Sequence, residues 1–174
     1  MKTSTNVARL IGTAAAAAAA AGLTVGPAPV SAAPGQSGAT LFIVQDSVSP
    51  GNYRLAILGR FPMPQADAVG FLNNISNGDC QGGMNYYVFG DDEGYNDRYI
   101  VMKSFPGVQV DDQGYLKATS QGLEYRREIL LRKHFLNEDS GVLDDNDEIY
   151  AQAHFKDSDC KVRVQTTQVI TNLF

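Results

Sequence analysis

The sequence predicts an all-β protein, an antiparallel β-sandwich of about seven or eight strands. Short runs of apolar or alternating residues recur along the chain after residue 40, and clusters of Gly, Asn, Asp and Pro separate them. Regularly spaced short strands of this kind are typical of sandwiches and barrels. One segment, residues 64–75, has a different periodicity and predicts a single short helix.

The first two strands are expected at residues 41–44 and 53–58, on either side of the turn sequence at 49–52. Both are rich in β-branched and apolar residues and are bounded by turn formers. The helical segment then follows Pro64, with apolar residues three apart that predict one buried side, namely Ala66, Val69, Leu72 and Ile75. Further strands are expected at residues 86–89, 98–102, 108–110 and 115–118.

Residues 123–136 allow two interpretations. Their Arg, Glu, Leu and Lys content favours a helix. Ile129, Leu131 and Phe135 alternate with charged residues only if the chain is extended, so we interpret the segment as a long strand. The segment also contains a basic cluster, formed by Arg126, Arg127, Arg132 and Lys133. We interpret this cluster as the solvent-facing side of the strand rather than as a contact for an anionic partner.

The last two strands are predicted to form a C-terminal hairpin. One set of alternating residues is apolar and is expected to face the core, namely Ile149, Ala151, Ala153 and Phe155. The intervening residues Tyr150, Gln152 and His154 are expected to face the other way. After a turn at residues 156–159, Val162 and Val164 lie in the returning strand.

Residues 1–32 have the order of a secretory signal peptide. Lys2 and Arg9 precede an uncharged, alanine-rich stretch at residues 10–25, and small residues at 30–33 predict cleavage after Ala32 or Ala33. The apolar stretch is too short for a membrane span. Because no arginine pair precedes it, the general (Sec-type) secretory route is favoured. Residues 33–174 are then expected to form one secreted β-sandwich domain.

The chain is acidic, with 14 Lys and Arg against 19 Asp and Glu, and its net charge is −5. The predicted leader contains two of the basic residues and no acid, so the mature chain is expected to carry −7. An acidic surface repels phosphate backbones and anionic lipids, which disfavours nucleic acid and membranes as partners.

Cys80 and Cys160 are the only cysteines, and a disulfide between them is expected in an exported domain. Each follows an aspartate directly, and a disulfide holds its two Cα atoms about 5.5–6 Å apart. Asp79, Asp159 and the nearby Asp157 are therefore predicted to lie close together, as the strongest candidate for a calcium site. The alternative is that these acids, like those of the other acidic turns, serve ordinary turn geometry.

No sequence motif indicates an enzyme. A nucleophile elbow, a P-loop and paired histidines with metal-ligand spacing are all missing from the sequence. The favoured hypothesis is a secreted, non-enzymatic binding module that presents acidic loops to an extracellular protein or glycan. A secreted enzyme inhibitor is the alternative, and a small hydrolase that uses His134 or His154 is the third hypothesis.

Overall fold

The computed structural model describes residues 30–31, 38–91, 98–107, 111, 113–137, 147–172 and 174. Of the predicted leader, the structure therefore describes only Val30 and Ser31. The predicted strand at 108–110 lies outside the described residues, as do most of the acidic turns at 92–97 and 138–146.

The described residues form ten strands and two short helices. In chain order they are β1 (Val30–Ser31), β2 (Ala39–Gln45), β3 (Asn52–Phe61), α1 (Gln65–Asn74), β4 (Gly83–Gly90), β5 (Arg98–Pro106), β6 (Gly114–Thr119), β7 (Gly122–Arg132), α2 (Lys133–Leu136), β8 (Asp147–Lys156), β9 (Val162–Thr166) and β10 (Ile170–Asn172). The count exceeds the predicted seven or eight because the two shortest strands, β1 and β10, are too brief to show a period in the sequence.

The strands form two sheets in which every pairing is antiparallel. The first sheet has the order β1-β2-β3-β7-β6. The second has the order β10-β8-β4-β5, with β9 paired to β8 as well. The predicted all-β class with antiparallel sheets is confirmed.

The two sheets pack against each other through one hydrophobic core. Phe61 of the first sheet lies 6.0 Å from Phe155 of the second, measured between ring centroids. The buried Tyr125 hydroxyl of the first sheet donates a 2.8 Å hydrogen bond to the side-chain oxygen of Gln165 in the second. Burial raises the pKa of Tyr125, because the phenolate would lose its hydration.

Helix α1 forms where the sequence predicts it, but its buried side is different. Ala68 and Ile75 are buried and Phe71 is half-buried, whereas Val69 is 41% exposed and Ala66 is also exposed. The buried residues follow the spacing i, i+3, i+7 of a real helical face. A strict three-residue repeat drifts round a helix with 3.6 residues per turn, so the predicted set could not share one side.

Residues 123–136 are extended, as predicted, only as far as Arg132. Helix α2 then makes a single turn that buries Leu136 and leaves Phe135 exposed. The prediction that Arg127 belongs to the solvent-facing side is wrong. It occupies an inward-facing position of β7 and is buried, with its guanidinium carbon 3.6 Å from the centroid of the Phe105 ring.

The C-terminal hairpin is confirmed with the predicted register. The four apolar residues of β8 are fully buried, namely Ile149, Ala151, Ala153 and Phe155. Strand β9 pairs with β8 so that Val164 lies opposite His154 and Val162 opposite Lys156. Both valines are therefore on the outer side of the sheet, with His154.

Strand β1 covers the edge of β2, where Val30 pairs with Ile43 and Ser31 with Phe42. The predicted cleavage after Ala32 or Ala33 would remove β1. Strand β2 would then be the edge of the first sheet in the mature protein.

Candidate functional site

The outer side of the second sheet is unusually rich in aromatic residues. Alternation along β4 turns Met84, Tyr86 and Val88 into the core, so Tyr87 and Phe89 point outward. Strands β5, β8 and β9 add residues on the same side. We call this surface the aromatic face; it comprises Tyr87, Phe89, Tyr99, Tyr150, His154, Val162 and Val164.

The rings of the aromatic face contact one another across strands. Phe89 is the direct cross-strand partner of Tyr150, and their rings stack with centroids 5.1 Å apart and an interplanar angle of 16°. Tyr87 continues this row at 6.3 Å from Phe89, also at 16°. Rings at these distances and angles are offset-stacked, the arrangement that the aromatic quadrupole favours.

A β-bulge places Tyr99 on the aromatic face. Val88 pairs with Val101, but the next residue, Phe89, pairs with Tyr99, so Ile100 is the extra residue of β5. Without the bulge, Tyr99 would point toward the core. Its ring instead meets Phe89 edge-on, with centroids 5.9 Å apart at 70°.

His154 extends the aromatic face onto the centre of β8. Its ring centroid lies 4.5 Å from that of Tyr87. Its Nε2 is 3.0 Å from Oε1 of Gln152, and because an amide oxygen only accepts hydrogen bonds, Nε2 carries the proton. Partial burial lowers the pKa of His154, because desolvation disfavours the charged imidazolium.

The aromatic face continues over β9 as exposed apolar surface. Tyr99 is 54% exposed, and Val162 and Val164 are 51% and 50% exposed. These valines flank His154 and Lys156 through the pairing of β8 with β9. Tyr99 on β5 and the two valines on β9 lie on opposite sides of the β4–β8 pair, so the face carries two exposed apolar patches with the rings of Tyr87 and Phe89 between them.

The predicted disulfide is formed between Cys80 and Cys160, whose Cα atoms are 5.3 Å apart. It does not bring the three predicted calcium ligands into one arrangement of carboxylates. Asp157 is buried, and its Oδ1 accepts hydrogen bonds from the backbone N–H groups of Asp159 and Lys161, at 3.0 and 2.9 Å. Asp79 and Asp159 are exposed.

Asp157 thus performs the turn chemistry that the sequence offered as the alternative to metal binding. In the part of the chain that the structure describes, no group of three or more His, Cys, Asp or Glu side chains is placed to hold a metal ion. Calcium binding by Asp79, Asp157 and Asp159 stays a prediction. Most of the other acidic turns lie outside the described residues.

The histidines of the hydrolase hypothesis lie in different elements, His154 in strand β8 and His134 in helix α2. His154 bonds Gln152 in the aromatic face, whereas His134 lies in α2 with its ring 4.2 Å from that of Phe135. Among the described residues, no hydrogen bond or ion pair joins either imidazole to a carboxylate. The geometry therefore offers no assembled acid–base pair around them.

The basic cluster of β7 divides between two environments. Arg126 forms an ion pair with Glu128 on the outer side of the first sheet, as predicted for a solvent-facing residue. Arg127 instead holds both carboxylate oxygens of Asp111 through Nη1, at 2.9 and 2.8 Å. This contact lowers the pKa of Asp111, because the guanidinium stabilises the carboxylate.

Comparison of the chain with models of known protein families, with curated proteins and with solved structures finds no match. The functional argument therefore rests on the chain's own residues.

The structure gives coarse information on the compartment. The Cys80–Cys160 disulfide is the kind of bond that persists where the environment is oxidising. Across the described ranges, neither helix has the length and apolar character needed to cross a bilayer.

Proposed function

We propose that this protein is a secreted, non-enzymatic binding domain that docks an extracellular protein through the aromatic face. The observation that carries the proposal is the stacked row of Tyr87, Phe89 and Tyr150 on the outer side of the second sheet. Antiparallel sandwiches ordinarily place polar residues there. A row of aromatic side chains at such positions matches the composition of protein interfaces, where Tyr and Phe are enriched and charge is depleted.

The ring geometry favours a protein partner over a glycan. A sugar stacks on a free ring face, but the face of Phe89 is occupied by Tyr150 at 5.1 Å. The aliphatic surface of Val162 and Val164 on β9 also offers contacts that suit apolar side chains better than hydroxyl-rich sugars. Tyr99, Val162 and Val164, all about half-exposed, are the residues that a partner would bury most.

The extracellular part of the proposal rests on the predicted leader and on the disulfide. The leader predicts export, and the disulfide requires an oxidising compartment to persist. The acidic loops are not part of this proposal, because the aromatic face lies on strands and most of the acidic turns lie outside the described residues.

The test is photo-crosslinking from the aromatic face in the culture medium of the producing cells. A benzophenone side chain introduced at Tyr99 or Val164 should crosslink the same extracellular protein. Leu130, on the outer side of the first sheet, is 52% exposed and provides a matched control position that should not crosslink it. Adding Val164→Asp to the Tyr99 probe should abolish the crosslink, since Val164 lies opposite His154 and a charge placed at this apolar contact would be desolvated by the partner.

Equal crosslinking from Tyr99 and Leu130 would contradict the proposal. So would retention of the protein on an extracellular polysaccharide that is lost with Tyr87→Ala, because that result assigns the aromatic face to a glycan.

A further inference from the structure

Strand β9 (Val162–Thr166) forms one edge of the second sheet, where it pairs with β8 on one side. In the part of the chain that the structure describes, no strand pairs with its other side. An open edge presents backbone N–H and C=O groups to which another strand can add. Because Val162 and Val164 belong to the aromatic face, a strand added here would extend that face directly.

The hydrogen bonds at the two ends of the β8–β9 ladder show which backbone groups of β9 face the open edge. The N–H of Asp157 donates to the carbonyl of Lys161 at 3.0 Å, and the N–H of Thr167 donates to the carbonyl of Ala151 at 2.9 Å. Bonded and non-bonded pairs alternate along an antiparallel ladder, so the odd-numbered residues of β9 bond to β8.

The N–H and C=O groups of Val162 and Val164 therefore point away from β8. Among the described residues, these four groups have no backbone partner. The two half-exposed valines thus combine an apolar side chain with a free backbone donor and a free acceptor. Those are the groups that a further antiparallel or parallel strand would pair with.

Strand β9 lacks the features by which sheet edges usually block such an addition. The edge strand at the other side of the second sheet, β5, contains the bulge at Ile100 and ends in Pro106. Bulges and prolines interrupt the regular row of backbone groups that a new strand needs. β9 contains neither, and its pairing with β8 keeps one register throughout.

The side chains of β9 differ between its two sides. Val162 and Val164 are apolar on the aromatic side, whereas Arg163 on the other side is exposed, with its guanidinium carbon 4.9 Å from the centroid of the Phe71 ring. Lys161, also exposed, directly precedes the strand. Among the described residues, neither basic side chain takes part in an ion pair. A strand that alternates apolar and acidic residues would match both sides, because opposite charges on neighbouring strands attract.

A second copy of this chain matches the edge less well. Its own β9 would bring another Arg163 and Lys161 to the same side of the sheet, where like charges on neighbouring strands repel. The charges therefore favour a different protein as the source of the strand.

From these observations we propose that β9 binds an extended segment of another protein by β-strand addition, and that this segment alternates apolar and acidic residues. Its backbone bonds to Val162 and Val164, its apolar side chains lie beside the two valines, and its carboxylates lie on the side of Arg163. The inference rests on the proposed function only for the source of the strand, which is the partner that covers the aromatic face.

Amide hydrogen exchange, measured by NMR on the secreted protein, tests the site with a synthetic peptide. The probe is acetylated and amidated, alternates valine with glutamate, and has about six residues, the usual length of a strand. In the free protein the amides of Val162 and Val164 should exchange fast, whereas those of Arg163 and Gln165 should already be slow. The peptide at about ten times its Kd should slow exchange at both valines about tenfold. A matched peptide with lysine in place of glutamate should not.

Val164→Pro separates a backbone contact from a side-chain contact. Proline removes the N–H that points to the open edge but no bond to β8, so the fold should persist while peptide binding is lost. Val164→Ala keeps the N–H and should weaken binding less than Val164→Pro does. Val48→Pro is the matched control, because Val48 is 85% exposed and lies in the turn between β2 and β3; peptide binding should not change.

Arg163→Glu tests the charge preference without altering the backbone, so it applies even where a proline disturbs the fold. This variant should bind the lysine peptide more tightly than the glutamate peptide, which reverses the preference of the unmodified protein.

Unchanged exchange at Val162 and Val164 in the presence of the glutamate peptide would overturn the proposal. Equal binding of the lysine peptide, or normal binding by Val164→Pro, would do the same. A crosslink from Tyr99 that survives Val164→Pro would show that the partner covers the aromatic face without adding a strand, which overturns this inference and leaves the proposed function intact. Peptide binding at β9 without any crosslink from Tyr99 would support the site and contradict the proposed function.

Discussion

The outer sides of the two sheets differ in the contacts that their side chains make with one another. On the first sheet, Arg54 bridges Asp46 and Glu128 at 3.1 Å each, and Lys117 pairs with Glu124 at 3.3 Å. On the second sheet, the corresponding positions carry the stacked rings and exposed valines of the aromatic face. The inner sides of both sheets line the same hydrophobic core, so the difference lies on the outer sides.

This difference is the basis for proposing the second sheet, and not the first, as the binding surface. Ion pairs between neighbouring strands leave the first sheet's outer side charged and hydrated, with its charges already matched. The aromatic face contacts itself as well, so that Tyr150 is buried and Tyr87 and Phe89 are half-buried. Its exposed members, Tyr99 and two valines, keep apolar surface in water, which only a partner can bury. The functional residues are therefore expected on the second sheet.

The largest expected effect comes from placing the same charge on the two sides of one strand. Ala151 is fully buried and its neighbour Gln152 points to the aromatic side. Ala151→Asp should destabilise the fold by roughly 3–5 kcal/mol, because it buries an unpaired charge. Gln152→Asp should cost less than about 1 kcal/mol. Urea unfolding measures both; a larger loss at Gln152 would show that the register of β8 is shifted by one residue.

A smaller effect distinguishes the two kinds of cross-strand contact by their response to salt. A double-mutant cycle on Phe89 and Tyr150 should give a coupling of about 0.5–1.5 kcal/mol that salt leaves unchanged. The same cycle on Arg54 and Glu128 should give a smaller coupling, since 43% of the Arg54 side chain is exposed to water, and salt should reduce it. Equal salt dependence of the two couplings would remove the distinction between the two surfaces.

Most of the fold could be predicted from the sequence because it depends on local patterns. The alternation of β8, the turn before β3 and the proline before α1 each act over a few residues, and all three predictions are confirmed. The Cys80–Cys160 bridge was predictable because the sequence contains only one possible pair.

The aromatic face could not be predicted in the same way. Tyr99 reaches the aromatic face through a bulge between β4 and β5, and the sequence does not indicate which strands pair or where the register shifts. The sequence suggests that Arg127 is a surface residue, and only the structure shows that it is buried in contact with Asp111 and Phe105. These features arise from contacts between remote segments, which periodicity does not report.

The smallest expected effect is a difference in the pH range over which His154 and Asp111 change the stability of the fold. Partial burial lowers the pKa of His154 in the folded protein, so the unfolded chain binds more protons below about pH 6.5 and stability falls as the solution is acidified from there. For Asp111 the folded protein favours the charged form, whereas for His154 it favours the neutral form. The pKa of Asp111 is lowered by Arg127, so its contribution is complete above about pH 4 and is lost only as the pH falls further.

His154→Gln should therefore flatten the decline in stability between neutral pH and about pH 5, and Asp111→Asn should leave that range unchanged. If a partner buries His154 further, binding should weaken over the same range, because protonation would cost more in the complex than in the free protein. Thermal melts at a series of pH values measure the first effect, and crosslinking yield from Tyr99 measures the second. A decline that survives His154→Gln would assign it to another group and remove the aromatic face as the pH-sensitive surface.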